Sequence, residues 1–71
     1  MLNFGDIVLV KAFPNQTLTR RVVAVIDNET VLLCNEEEFQ SALKEHRKPT
    51  AIGFPIYDVI ESKNDQKDKK R

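Results

Sequence analysis

The sequence predicts a small, mostly β domain: a curled sheet of four or five antiparallel strands with one helix between strands three and four. Three apolar runs rich in β-branched residues, separated by turn-forming residues, indicate the first three strands. They cover residues 4–12, 18–26 and 30–34, and a helical pattern with a clear start follows them. A chain of 71 residues has room for a single domain.

The first strand is apolar on both faces. Ile7 and Leu9 alternate with Val8 and Val10 along the strand, so each face receives two large side chains. We therefore expect layers on both sides of it. A loop is predicted at residues 14–17, and a tight hairpin at residues 27–29, because proline, asparagine and aspartate favour turns.

The helix is predicted to begin after Asn35. Asn35 is a good N-cap, and Glu38 three residues later completes a capping-box pattern. One apolar face is indicated by four residues at helical spacing, namely Phe39, Ala42, Leu43 and His46. Pro49 is expected to end the helix, which is laid across the sheet by Phe39 and Leu43.

After the helix, residues 51–55 are expected to be extended, with Gly53 allowing a bulge or a corner, and residues 56–61 to form the closing strand. The domain is assigned to residues 1–61 and carries a net charge of −3. Residues 62–71 contain no apolar side chain, have a net charge of +3 and are predicted to be a disordered basic tail. A mildly acidic domain disfavours general binding to phosphate backbones.

Composition argues against catalysis. Cys34 and His46 are the only cysteine and histidine, so neither a disulfide nor a four-ligand zinc site can be built. They lie at opposite ends of the predicted helix, about 16 Å apart, too far for a nucleophile and its base. No phosphate-binding glycine loop or paired carboxylate motif is present. We expect that the protein is not an enzyme and that it has no catalytic residue, metal or cofactor.

The predicted location is the cytoplasm. The N-terminus lacks the basic and apolar regions of a signal peptide, and no segment approaches the length of a membrane span. A lone cysteine fits a reducing compartment. We therefore expect a soluble protein without membrane contact.

Four residues are candidates for binding: Lys11, Arg20, Arg21 and Tyr57. Arg20 and Arg21 point to opposite faces of their strand, so at most one joins a surface patch with Lys11. The favoured interpretation of the arginine pair is an edge charge that deters aggregation. The alternative is contact with a phosphate or carboxylate through the bidentate guanidinium. Tyr57 is the best exposed aromatic candidate, since its ring can pack while its hydroxyl stays in water. Core positions are expected for Phe4, Phe39 and Phe54.

Two stretches resemble a known family. Gly5-Asp6-Ile7-Val8-Leu9-Val10, followed by Arg20-Arg21-Val22-Val23-Ala24-Val25, resembles the opening of the MazF/PemK-type toxin ribonucleases, which share an SH3-like barrel. In that family the arginine-rich start of the second strand contributes to RNA cleavage. The resemblance implies RNA contacts for Arg20 and Arg21. The chain has no proline after the arginine pair, and the family's later strands, catalytic threonine region and terminal helix have no counterpart in it.

Residues 4–61 also resemble short uncharacterised bacterial proteins with an SH3-like barrel. The resemblance lies in the Asn35-Glu36-Glu37-Glu38-Phe39 helix start and in the later Gly53-Phe54-Pro55 and Asp58-Val59 segments. It implies a small SH3-like, partly open barrel and carries no activity with it.

The favoured function is a non-enzymatic interaction module that binds a protein partner or its own copy. Short barrels leave an exposed sheet edge, and a domain of this size gains from a partner. The alternative is an RNA-binding module that uses the four candidate residues and the basic tail. A ribonuclease is the least favoured of the three hypotheses.

Overall fold

The computed structural model of the protein describes residues 2–63. Within them the elements are β1 (Ile7–Ala12), β2 (Gln16–Val25), β3 (Thr30–Cys34), α1 (Glu36–Glu45), β4 (Ile52–Pro55), a 3₁₀ turn (Ile56–Asp58) and β5 (Val59–Lys63). The strands form one antiparallel sheet in the order β4-β3-β2-β1-β5. The predicted class is confirmed: a mostly β fold of five antiparallel strands, with the helix between the third and fourth. The sheet is open, and β4 and β5 are its edges.

Several boundaries differ from the predicted ones. β1 begins only at Ile7, because the chain turns at Gly5 (φ 90°) and the Asp6 carboxylate accepts a hydrogen bond from the Asn3 N–H at 2.9 Å. β2 begins at Gln16, inside the predicted loop. The predicted closing strand is instead the 3₁₀ turn followed by β5.

The C-terminal edge strand extends past the predicted end of the domain. β5 includes Ser62 and Lys63, which pair with Val8 and Ile7. These two residues were predicted to belong to the tail. Residues 64–71 of the predicted tail lie outside the described residues.

The core lies on one face of the sheet. Directly opposed residues of neighbouring strands share a face, and five of them are almost fully buried: Val8, Val10, Val22, Val31 and Leu33. Partly buried side chains pack around this cluster from the chain ends and the edge strands, namely Leu2, Leu18, Phe54, Ile56 and Val59. The register between β2 and β3 shifts between Val22 and Ala24, as it does at a β-bulge.

The helix α1 packs beside Arg21, on the opposite face of the sheet. Asn35 caps it, accepting a hydrogen bond from the Glu38 N–H at 2.7 Å, as predicted. Its end was predicted wrongly: α1 stops at His46, which adopts the left-handed conformation (φ 58°), before Pro49 is reached. Leu43 is 49% exposed and His46 is also exposed, contrary to the predicted apolar face. Since α1 packs mainly against β2, its buried face is narrow and consists of Phe39 and Ala42.

Two further expectations are corrected by the packing. Phe4 is mostly exposed, because it lies in the turn before β1. Its ring packs at a tilt of 45° against Phe39, with ring centroids 5.4 Å apart. Gly53 marks neither a bulge nor a corner. It lies inside β4, which pairs with β3 in an unbroken register.

Candidate functional site

The four candidate binding residues do not form one surface. Arg20 lies opposite Val8 and Arg21 opposite Ile7, so the two arginines point to opposite faces, as predicted. Lys11 follows Ile7 by four residues along β1 and therefore shares the face of Arg21. Lys11 and Arg20 are thus separated by the sheet itself. Tyr57 is 81% exposed on the 3₁₀ turn.

Arg21 is a structural residue. It is only 9% exposed, and its Nε donates to Glu36 Oε1 at 2.6 Å while its Nη2 reaches Oε2 at 3.1 Å. Its Nη1 donates to the Gly5 carbonyl at 2.8 Å, and its guanidinium lies 4.8 Å from the centroid of the Phe39 ring. The hydrogen bond from Arg21 is the main cause that lowers the pKa of Glu36. Arg21 therefore joins β2 to the first turn of α1 and to the turn before β1.

Arg20 borders a groove of about 320 Å³ between the end of β3, the start of α1 and β4. Its side chain lies on the core face, directly across from Val8. Continuing the register of β2, β3 and β4 beyond their ends brings Arg20 into line with Asn35 and Thr50. The other groove residues are Leu33, Cys34, Glu38, Ile52 and Phe54. The groove is thus assembled from four segments that only the sheet register brings together.

The two charged residues of the groove differ in their partners. Glu38 accepts a hydrogen bond from Arg47 Nη1 at 2.6 Å and from the Thr50 N–H at 2.9 Å. The Arg47 hydrogen bond is the main cause that lowers the pKa of Glu38 to about 2. Arg20 donates to the carbonyl of its neighbour Thr19 at 2.8 Å, and no acidic partner of Arg20 is found among residues 2–63. Within residues 2–63, the positive charge of the groove is therefore not neutralised by a carboxylate.

The thiol of Cys34 is not activated. Cys34 is buried, and burial, followed by the negative charge of Glu38, raises the pKa of its thiol. A thiol with a raised pKa is a poor nucleophile, because the thiolate is the reactive form. Within the described part of the chain no cluster of three or more metal-ligating side chains occurs. No helix among these residues has the length and apolar character needed to cross a membrane.

We expect the contribution of Glu38 to stability to disappear in acid. Its pKa is lower in the folded protein than the ordinary value of 4.5, so the unfolded chain binds the proton first as the pH falls. The stabilisation is complete above about pH 4.5 and is lost toward pH 2. Thermal unfolding of the wild type and of Glu38→Gln, followed by circular dichroism, should show a difference in Tm at pH 7 that vanishes near pH 2. Glu37→Gln controls for the loss of a helix carboxylate, and a pH-independent Tm difference for Glu38→Gln would contradict the expectation.

The edge strand β4 exposes backbone groups beside this groove. The Ile56 N–H donates to the Glu29 carbonyl at 2.8 Å, so these opposed residues form a hydrogen-bonded pair. Because such pairs alternate along antiparallel strands, Phe54 and Ile52 also bond to β3, while Gly53 directs its N–H and C=O away from β3. Pro55 falls on the same outward side, where its missing N–H removes no ladder bond.

The apolar side chain next to this edge was missed at the sequence level. Ile52 is 68% exposed, although it was assigned no role. The available signal was the run Ala51-Ile52-Gly53-Phe54-Pro55-Ile56-Tyr57, which contains no charged residue.

The chain matches no protein-family model, no curated protein and no solved structure. The two resemblances of the sequence, to the toxin ribonucleases and to the short SH3-like proteins, therefore stay hypotheses.

Proposed function

We propose that the protein is a non-enzymatic interaction module that binds an extended segment of a protein partner along β4. The observation that carries the proposal is an uncharged, apolar edge strand with an exposed isoleucine beside a groove. A peptide can add a strand to such an edge, with affinity from main-chain hydrogen bonds and specificity from alternate side chains. A cytoplasmic location belongs to the same proposal, since the single cysteine fits a reducing compartment.

The two edge strands differ in charge, and this difference favours β4 as the binding strand. β5 includes Glu61 and Lys63, and charged residues on an edge strand deter pairing with other chains. β4 has no charge, and only its short length and Pro55 limit pairing. The bound segment is accordingly short and is centred on Gly53, whose N–H and C=O face outward.

Gly53→Pro should weaken binding of an added strand at least about tenfold, because it removes the outward N–H and places the proline ring in its way. The probe is the best-enriched peptide from a displayed library of random 12-residue peptides, titrated by fluorescence anisotropy. Gly53→Ala is the matched control. It keeps the N–H, and the added Cβ would lie 3.6 Å from Thr30 Cγ2, an ordinary contact. Failure to enrich any peptide, or equal binding by Gly53→Pro, would sink the proposal.

A second copy of the chain is the other partner that the same edge could accept. Two β4 strands pairing about Gly53 would make a dimer. Light scattering of the wild type and of Gly53→Pro separates the two cases: a dimer that the proline variant loses identifies the copy as the partner. If the wild type and Gly53→Pro are both monomers, the partner at β4 is a different protein.

RNA binding is the less favoured alternative. It needs several cations on one surface, whereas Lys11 and Arg20 lie on opposite faces and Arg21 is held by Glu36. No observation on the described residues favours a ribonuclease, and none is proposed.

A further inference from the structure

We propose that the segment bound at β4 carries a glutamate whose carboxylate enters the groove and pairs with Arg20. This pairing rests on the proposed function, since the segment must first lie along β4. It adds the chemical class of the partner: an extended, acidic peptide rather than a neutral or basic one.

The charges of the groove select an anion. Glu38 is already neutralised by Arg47 and by the Thr50 N–H, while Arg20 has only the carbonyl of Thr19. Arg20 is also half-buried, and charge pairs are stronger where water is partly excluded. A carboxylate can accept two parallel hydrogen bonds from a guanidinium, which fixes its orientation as well as its charge. A neutral side chain in the groove would leave the Arg20 charge partly buried without a partner.

Distance selects glutamate over aspartate. A strand added outside β4 lies three strand spacings from β2, about 14 Å along a flat sheet. The arginine side chain covers part of this distance. The longer acidic side chain is still needed to meet Arg20 over the groove.

The apolar wall of the groove adds a second requirement. Ile52 and Phe54 face the groove from β4, with Leu33 at its floor. Residues two apart on a strand share a face, so an apolar side chain two positions from the glutamate packs on Ile52 or Phe54. A groove of about 320 Å³ is at the small end of ligand pockets, which suits one or two side chains. The partner motif is thus a glutamate and an apolar residue separated by one position.

A peptide is favoured over a nucleic acid because the outward N–H and C=O of Gly53 complement a peptide backbone. A nucleic acid has no such alternation of donors and acceptors. Among residues 2–63 the groove lining contains one basic residue, Arg20, whereas phosphate backbones are bound by several.

The test is selection of random 12-residue peptides on the wild type, on Arg20→Gln and on Arg20→Glu. We expect wild-type peptides to be enriched in glutamate with an apolar residue two positions away. The best peptide should bind Arg20→Gln at least about tenfold more weakly. Arg20→Glu should select lysine or arginine at the glutamate position. Lys11→Gln, which removes a cation from the opposite face, should bind like the wild type.

Changing the peptide instead of the protein tests the pairing without any effect on protein folding. Replacing the peptide glutamate by glutamine should weaken binding to the wild type as much as Arg20→Gln does, and replacing it by aspartate should weaken it less. Selected peptides that lack acidic residues, or that Arg20→Gln binds equally well, overturn the pairing. If Gly53→Pro abolishes the binding of those peptides, the proposed function stands and only the pairing with Arg20 is lost. If no peptide is enriched, both fall. Competition by a single-stranded RNA oligonucleotide that depends on Arg20 would assign the groove to nucleic acid instead.

Discussion

Phe39→Ala is expected to remove most of the free energy of unfolding of the protein at 25 °C. Phe39 is only 4% exposed and fills the space between α1, the Phe4 ring, the Arg21 guanidinium and Gly5. Removing a buried phenylalanine costs about 3–5 kcal/mol. A small domain has a total free energy of unfolding of about 5 kcal/mol, so little stability is left. Urea denaturation followed by far-ultraviolet circular dichroism measures the loss.

The matched control is Leu43→Ala, one helical turn further along α1. Leu43 is about half exposed, so its truncation removes little buried surface and should cost less than about 1 kcal/mol. A Phe39→Ala protein with a wild-type urea midpoint would show that α1 is not anchored through this ring.

Arg21→Ala is expected to lower the free energy of unfolding by about 2–3 kcal/mol. The substitution removes the ion pair with Glu36, the hydrogen bond to the Gly5 carbonyl and the packing of the guanidinium on Phe39. Hydrogen bonds from charged groups contribute about 1.5–3 kcal/mol each, and the partly exposed ion pair adds little. Urea denaturation measures this loss too.

Glu36→Gln separates the contributions of the Arg21 cluster. Glu36 is half exposed and can be hydrated when unpaired, so its substitution should cost about 1 kcal/mol or less. The double variant Arg21→Ala/Glu36→Gln should be little less stable than Arg21→Ala alone, because the shared bond is lost only once. Strict additivity would contradict the direct pairing.

The two adjacent arginines thus have different expected phenotypes. Arg20→Ala should change stability by about 0.5 kcal/mol, as is usual for side chains without buried partners. Arg21→Ala should destabilise the fold. A binding defect in an Arg20 variant therefore reports on the groove, whereas the same defect in an Arg21 variant reports on folding.

The elements that are stabilised by interactions between residues close in the sequence could be predicted from the sequence. β3 and the Asn35 cap were placed correctly, because a hairpin turn and a capping residue bond within a few residues of themselves. The end of α1 was not, since the helical spacing continues to His46 and nothing in the sequence marks a histidine for the left-handed conformation. The burial of Arg21 depends on Glu36, fifteen residues away, and on the helix crossing over β2.

The groove could not be predicted either, because its residues are distant in the sequence. Arg20, Leu33, Glu38 and Ile52 come from β2, β3, α1 and β4, and only the tertiary fold makes them neighbours. The uncharged run at residues 51–57 did carry a signal. It was interpreted as turn and closing strand, because its four-residue strand is too short to show a clear period of two.

The bond between Glu38 and the Thr50 N–H also bears on the entropy of association. It fastens the residues just before β4 to the first turn of α1, and Arg47 holds the same carboxylate from the connecting loop. The edge that would receive a partner is therefore ordered before the partner arrives. Binding would then restrict the incoming segment alone, and less of the interaction free energy is lost to ordering the receptor. If the proposed binding occurs, the Glu38 carboxylate would contribute to affinity by fixing the residues that precede β4.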